Sequence, residues 1–220
     1  MITIACFKVG AVAHPVAMCY EEKELIRALE ATESKCYFGP TFFHKTDYER
    51  RILSVKEKCP DSGESCSWMM QSLHRRILCC CAGYWKPMSL LQRSSASADG
   101  LARTVAVILC TSGTTGGTKG VLLTHDNVRY SEETFNRELN LTKDDAIFMP
   151  APLHHATGFH HAIIAPMLLG ARVILQQKYQ CRAAIDLMNR EKATYSMGAT
   201  PFIYDILREL GTKRGQPSLA

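Results

Sequence analysis

The stretch at positions 111–120 reads T-S-G-T-T-G-G-T-K-G and lies between two apolar runs, Val105–Cys110 and Val121–Leu123. Glycine lets a backbone curve tightly and approach a ligand closely, so that successive N–H groups can face an anion. The hydroxyl side chains add hydrogen-bond donors, and Lys119 adds a positive charge. These features predict a phosphate-binding loop between two strands. A flexible Gly/Thr hairpin without a ligand is the plain structural alternative.

Strands and helices alternate on the carboxyl-terminal side of residue 103. Val-, Ile- and Leu-rich strands separated by helices predict an α/β fold, with layers built on a largely parallel sheet covered by helices. The predicted strands are 104–110, 121–124, 146–149, 171–176 and 194–197, and the predicted helices are 126–139, 157–169, 181–192 and 201–210. In the last helix, most of the apolar residues are expected to face the core.

The amino-terminal part shows a weaker α/β pattern. It predicts a helix over 1–9 that ends at Gly10, a strand over 11–16, a helix over 21–31, a strand over 36–38 and a helix that ends near residue 58. A helix that ends so close to the first methionine suggests that the chain is a fragment. The expected organisation is therefore one incomplete domain, with segments at 1–58, 59–103 and 104–220.

The segment 59–103 follows neither a helical nor a strand period, and it contains both tryptophans and the run Cys79-Cys80-Cys81. A long stretch without regular elements is unusual inside a compact domain. Two interpretations stay open: a variable surface excursion, or residues translated out of frame. Sequencing the transcript would distinguish them.

Composition excludes several classes of protein. The hydrophobic fraction of 46% and the charged fraction of 21% are typical of a soluble globular protein. The net charge of +5 is spread along the chain, which argues against nucleic-acid binding. No apolar run reaches the roughly 18 residues of a membrane span, so the expected location is cytoplasmic and no integral membrane segment is predicted. The ten cysteines lack paired C-x-x-C elements, so no metal site is predicted.

The spacing around Lys119 excludes two common phosphate motifs. In the nucleotide-hydrolase loop, a glycine precedes the lysine and a serine or threonine follows it. Here the neighbours are Thr118 and Gly120. The dinucleotide fingerprint has a different glycine spacing and leads into a helix rather than a strand.

The loop resembles the signature of the adenylate-forming enzymes, the superfamily of acyl-CoA synthetases, luciferases and peptide-synthetase adenylation domains. That signature reads Thr-Ser-Gly-Thr-Thr-Gly-x-Pro-Lys-Gly-Val, often followed by Thr-His. The chain matches it from Thr111 to Gly116, from Lys119 to Val121 and at Thr124 and His125, and departs at Thr118 where proline is usual.

Two further motifs resemble the same superfamily. The run 149–159, M-P-A-P-L-H-H-A-T-G-F, is similar to a motif beside the acyl-adenylate, and His155 rather than His154 aligns with its ligand-side residue. The run 197–207, M-G-A-T-P-F-I-Y-D-I-L, is similar to a turn that flanks the acyl pocket. His160 and His161 follow the first run, but no carboxylate or cysteine joins them at metal-ligand spacing. The resemblance covers about 1–50 and 101–211 and is closest to short- and medium-chain acid:CoA ligases.

The resemblance implies residue roles. The catalytic residues implied are His155 and Lys119. The residues implied to bind nucleotide are Thr111, Ser112, Gly113, Thr114, Thr115, Gly116, Lys119 and Gly120. The residues implied to line the acid pocket are His155, Gly158, Phe159, Gly198, Ala199 and Thr200.

The resemblance also implies a reaction. A short- or medium-chain fatty acid would be activated by ATP to acyl-AMP and then transferred to CoA, with Mg²⁺ held through the phosphates. The superfamily's later motifs would lie beyond Ala220, so the isolated chain is expected to be inactive. The alternatives are a non-catalytic protein that at most binds nucleotide, and adenylation for a carrier protein instead of CoA.

Overall fold

The computed structural model describes residues 2–58, 68–74, 77–82, 102–112 and 118–211. The chain divides into two compact units, Met1–His125 and Asp126–Ala220. No helix in these described ranges is long and apolar enough to cross a membrane.

The first unit combines short helices with antiparallel strand pairs. Its helices are α1 (Ile2–Val9), α2 (Glu22–Ala31) and α3 (Tyr48–Lys58). Its strands are β1 (Cys36–Pro40), β2 (Phe42–Phe43), β3 (Thr46–Asp47), β4 (Trp68–His74), β5 (Ile77–Ala82), β6 (Val105–Ser112) and β7 (Thr118–Thr124).

The described residues of this unit form three separate sheets. β5 lies between β1 and β4 and is antiparallel to both, β2 pairs with β3, and β6 pairs with β7. The predicted strand 11–16 is reduced to one parallel bridge between Ala13 and Val107. Pro15 lacks an N–H group, which limits how far a ladder can extend there. β4 and β5 lie within 59–103, where the sequence predicted no regular element.

The core of the first unit lies between α2 and α3. Glu21 caps α2 through a capping box with Glu24, which satisfies amide groups at the start of the helix. The buried side chains that pack together are Leu25, Leu29, Tyr37, Ile52 and Val55. The predicted helices of this segment are confirmed, and α1 ends at Gly10 in a left-handed conformation.

The second unit alternates strands with helices. Its strands are β8 (Ala146–Met149), β9 (Arg172–Leu175) and β10 (Tyr195–Ser196). Its helical elements are α4 (His125–Glu138), which begins at the last residue of the first unit, α5 (Ala156–Phe159), a π-helical turn (His160–Ile164), α6 (Ala165–Leu169), α7 (Cys181–Arg190) and α8 (Thr200–Gly211).

The sheet of the second unit is parallel, in the order β10–β8–β9. β8 is the central strand, and all four of its residues are buried. Its Phe148 packs with Ile174 and Ala184 in one core cluster. The predicted α/β fold class is confirmed, and within the described residues extended parallel pairing occurs in this sheet.

Helix α8 differs from its predicted packing. None of its residues is buried. The exposed fractions of Ile203 and Leu207 are 53% and 63%. The expectation that most of its apolar residues face the core is therefore wrong, because the amphipathic pattern specifies a stripe but not the element that covers it.

Candidate functional site

The predicted phosphate loop is held at the end of the β6–β7 hairpin. Thr111 lies opposite Lys119, and Cys110 lies opposite Gly120. The two strands therefore extend into the stretch predicted as a loop over 111–120, and the connection between them is shorter. Residues opposite each other in an antiparallel pair project from the same face, so the side chains of Thr111 and Lys119 share one face of the hairpin.

Both of these side chains are accessible. Thr111 and Lys119 are exposed, and the Thr111 hydroxyl donates to the carbonyl oxygen of Lys119 at 3.5 Å. Among the residues that the structure describes, Lys119 forms no salt bridge. Gly113, Thr114, Thr115 and Gly116 lie outside the described residues, as does the side chain of Ser112.

The other two motifs meet at one edge of the parallel sheet. The motif at 149–159 leaves the carboxyl end of β8, and the motif at 197–207 leaves the carboxyl end of the neighbouring β10. A Cβ atom at Gly198 would come within 3.0 Å of Pro150 Cγ and 3.3 Å of Phe202 Cβ. The carboxyl edge of a parallel sheet is where α/β proteins bind ligands.

Gly158 allows the chain to fold back tightly after β8. A Cβ atom there would lie 2.2 Å from the carbonyl oxygen of Pro152, a separation that no side chain can tolerate. The amide of His155 donates to the same Pro152 oxygen at 3.1 Å. The turn 152–158 is therefore closed by backbone contacts that require glycine.

The histidine predicted to face the acid caps the helix that follows this turn. His155 is exposed, and its Nδ1 accepts from the amide of Thr157 at 3.4 Å. Burial lowers the pKa of the neighbouring His154, and the charge of His155 lowers it further. Among the other predicted pocket residues, Ala199 and Thr200 are exposed, whereas Phe159 is fully buried.

A π-helical turn follows Phe159 and presents two successive histidines to one carboxylate. His160 Nδ1 lies 3.1 Å from Glu132 Oε1, and His161 Nδ1 lies 3.0 Å from Glu132 Oε2. The amide of Ala165 donates to the carbonyl of His160. Pro166 has no N–H to donate to the residue four positions earlier, which interrupts the α-helical pattern here.

Glu132 is a buried charge with two partners. Its exposed fraction is 1%. Burial raises the pKa of this carboxyl, but hydrogen bonds from His160 and His161, together with their charge, outweigh that effect and lower the pKa to about 2. The ring of His161 also stacks on Phe135, with centroids 4.2 Å apart. The cluster fixes helix α4 against the turn that follows the acid-pocket motif.

Sequence reasoning missed Glu132. No carboxylate stands close to the two histidines in sequence, and the one that contacts them comes from α4, 28 residues before His160. A signal was present, because Glu132 lies one helical turn after the apolar Val128 and before Asn136, on the face that is buried. Within the described ranges, no group of three or more His, Cys, Asp or Glu side chains is arranged to hold a metal ion.

Comparison with known proteins identifies the family. The model of the AMP-binding enzyme family matches residues 1–219. The chain belongs to this family. Among its AMP-binding relatives, the medium-chain fatty-acid–CoA ligase of Escherichia coli (strain K12) is 36% identical over 219 residues, which cover 96% of this chain and 36% of the relative. The mitochondrial malonate–CoA ligase of Homo sapiens is 40% identical over 74 residues, covering 34% of this chain and 13% of the relative.

Two solved structures share the fold of this chain. The o-succinylbenzoate CoA synthetase of Bacillus subtilis, in complex with its acyl-adenylate intermediate, has a TM-score of 0.63 at 23% identity over 94% of this chain and 48% of that chain. ATP-bound MatB from Rhodopseudomonas palustris has a TM-score of 0.65 at 22% identity, covering 94% and 38%. The chain thus spans about a third to a half of the lengths of these relatives.

Proposed function

We propose that this chain is the nucleotide- and acid-binding part of an AMP-forming acid:CoA ligase that acts on a short- or medium-chain fatty acid. The observation that carries the proposal is the 36% identity to a medium-chain fatty-acid–CoA ligase along 96% of the chain. The ligase reaction has two steps. A carboxylate attacks the α-phosphate of ATP to give acyl-AMP and pyrophosphate, and the CoA thiol then displaces AMP.

The hairpin β6–β7 supplies the phosphate contacts in this proposal. Thr111 and Lys119 lie opposite each other on an exposed face, so a hydroxyl donor and an ammonium group can act on the same phosphate. The connection between them includes the glycines and threonines of the signature. Positioning and charge stabilisation are what phosphoryl chemistry asks of a protein. Lys119 therefore acts as a counter-charge to the phosphates.

The carboxyl edge of the second unit supplies the acid contacts. His155 is exposed at the start of α5, where its backbone and ring are both fixed by hydrogen bonds. Ala199 and Thr200 are exposed at the start of α8. Gly198 packs against Pro150 and Phe202, so the two loops support each other. Phe159, the remaining aromatic residue of the motif at 149–159, is fully buried.

In this proposal, the Mg²⁺ that the ligase reaction uses is bound through the nucleotide phosphates. The described residues offer no carboxylate and histidine group for it. In the proposal the phosphates hold the ion, which neutralises part of their charge, and Lys119 and Thr111 contact the same phosphates from the protein side.

The Lys119→Ala substitution tests the phosphate role. Removal of a charged donor is expected to weaken Mg²⁺-ATP binding by about tenfold or more, because a hydrogen bond to a charged group contributes roughly 1.5–3 kcal/mol. Isothermal titration of Mg²⁺-ATP into the chain measures the binding. Octanoate-dependent pyrophosphate release, measured for the same substitution in a longer protein that carries the superfamily's later motifs, reports acid activation.

Lys23→Ala is the matched control. Lys23 is an exposed lysine in helix α2 of the same unit, and its replacement should leave nucleotide binding unchanged. Equal affinities of Lys119→Ala and the unaltered chain would remove Lys119 from the phosphate site. Nucleotide binding without octanoate-dependent pyrophosphate release by that longer protein would favour a non-catalytic nucleotide-binding protein.

A further inference from the structure

Four side chains of the first unit are linked in a row by hydrogen-bond contacts, and the row ends beside the predicted phosphate loop. Cys110 is the residue directly before Thr111, and its Sγ lies 3.2 Å from His14 Nε2. The other ring nitrogen, His14 Nδ1, lies 3.1 Å from Thr32 Oγ1. Thr32 Oγ1 is in turn 2.7 Å from Ser34 Oγ. A thiol, an imidazole and a hydroxyl are thus aligned as nucleophile, base and orienting group.

The hydrogen bonds of Thr32 define the tautomer of His14. The Thr32 hydroxyl donates to the carbonyl of Ala28 at 2.9 Å. A hydroxyl has one hydrogen and two lone pairs, so Thr32 Oγ1 then accepts from His14 Nδ1–H and from Ser34. His14 Nε2 is consequently the nitrogen without a proton, and its lone pair faces the Cys110 thiol.

Before any reaction, the Cys110 thiol and the His14 imidazole are both uncharged. Burial lowers the pKa of His14 and raises the pKa of Cys110, and both effects favour an uncharged thiol beside an uncharged imidazole. The proton therefore leaves Sγ only while the sulfur attacks an electrophile. Such assistance is general-base catalysis, which requires a base within hydrogen-bond reach of the proton.

Cys110 is partly accessible to solvent, being half-buried rather than buried. The residue opposite it in the hairpin is Gly120, where the side chain of Ile108 occupies the space beside β7, since a Cβ at Gly120 would lie 2.9 Å from Ile108 Cγ2. Because Cys110 comes directly before Thr111 in β6, its side chain lies on the face of the hairpin opposite to the side chains of Thr111 and Lys119.

We propose that Cys110 is a modification site at which His14 assists thiol–disulfide exchange with small, low-molecular-weight disulfides. Cys110 Sγ bonds to one sulfur of the disulfide, and its S–S bond breaks. The proton passes from Sγ to His14 Nε2 and then to the departing thiolate. The products are a mixed disulfide on Cys110 and one small thiol, so no further oxidant or reductant is consumed.

The test compares rates at two cysteines of the same chain. Cys19 is exposed and serves as the internal reference for an unassisted thiol. The chain is treated with bis(2-hydroxyethyl) disulfide, which is neutral, and the adduct at each cysteine is quantified over time by peptide mass spectrometry. Cys110 is expected to react faster than Cys19 although it is less exposed. A slower reaction at Cys110 would overturn the proposal.

Substitutions of the base and of its orienting residue decide the mechanism. His14→Gln should lower the rate at Cys110 by about tenfold or more and leave the rate at Cys19 unchanged. Thr32→Val should also lower the rate at Cys110, whereas Thr32→Ser, which keeps the hydroxyl, should retain it. If His14→Gln is unfolded, as judged by circular dichroism, the comparison of Thr32→Val with Thr32→Ser tests the mechanism instead. Equal rates at Cys110 in Thr32→Val and Thr32→Ser would overturn the role of His14.

Discussion

Replacing Glu132 with alanine is expected to destabilise the second unit by about 3–5 kcal/mol, because the change leaves two imidazoles without the carboxylate that both contact and opens a cavity. Glu132 is 1% exposed and bonds His160 and His161 through separate oxygens. Thermal unfolding followed by circular dichroism measures the loss. A decrease in Tm of roughly 10 °C or more corresponds to it in a domain of this size.

Glu133→Gln is the matched control for this substitution. Glu133 is the next residue of α4, and its carboxylate forms an exposed pair with Arg129 at 2.8 Å. Exposed pairs contribute about 0–1 kcal/mol, so the control should unfold close to the unaltered protein. Equal stabilities of Glu132→Ala and Glu133→Gln would contradict the assignment of Glu132 as the link between α4 and the π-helical turn.

The same carboxylate should make stability depend on pH. Its pKa falls from 4.5 to about 2 on folding, so the folded state stabilises the charged form. This contribution, about 3 kcal/mol, is fully present above pH 4.5 and is lost as the pH falls toward 2. Glu132→Gln cannot ionise, so its stability should change less than that of the unaltered protein over this range. Parallel curves for the two proteins would exclude the effect.

Replacing Gly158 with alanine should be equally disruptive. The added Cβ would lie 2.2 Å from the Pro152 oxygen; this oxygen belongs to the backbone, and a Cβ is held rigidly by its Cα. The turn cannot relax by rotating a side chain. A destabilisation of about 3 kcal/mol or more is expected, with loss of the helix start at His155.

Two other glycines form a graded control series for this prediction. A Cβ at Gly198 would meet Pro150 Cγ at 3.0 Å, and a Cβ at Gly211 would meet nothing within 4 Å. Gly198→Ala should therefore lower the free energy of unfolding by about 1–2 kcal/mol. The free energy of unfolding of Gly211→Ala should lie within about 0.5 kcal/mol of that of the unaltered protein. Chemical denaturation measures the three variants. An order other than Gly158, Gly198, Gly211 would show that the turn adapts to a side chain.

The local sequence pattern was sufficient to predict most helices and strands of the second unit. The predicted strand 146–149 is confirmed at both ends, since a buried apolar run bounded by a charged turn and Pro150 has distinct limits. Helix 181–192 is confirmed as α7, which ends at Arg190. Strong periodicity and clear boundary residues explain this agreement.

Long-range pairing explains what the sequence did not reveal. Thr111 and Lys119 were predicted in a loop because glycine and threonine dominate the stretch, yet cross-strand bonds continue to Ser112 and Thr118. β5 takes its place beside β1 through pairing with a strand far away in sequence. The partners of His14 and of His160 likewise come from other elements. None of these pairings leaves a signal in a short window of residues.

The roles inferred for His155, Lys119 and the other predicted site residues stay predictions. The structure places Gly198 beside Pro150, so two of the three predicted motifs meet within the second unit. The first motif lies in the other unit. The Lys119→Ala substitution tests one of these roles directly.

The position of β8 between two parallel strands determines how the second unit opens. Both edges of β8 are occupied by neighbours, and its residues are at most 3% exposed. Its amides can reach solvent only after β9 or β10 detaches, so Ile147 and Phe148 should retain their amide hydrogens longest in deuterated water. The short β10 has only two ladder positions. Opening should therefore begin at that strand, from which the chain runs into the loop at Gly198.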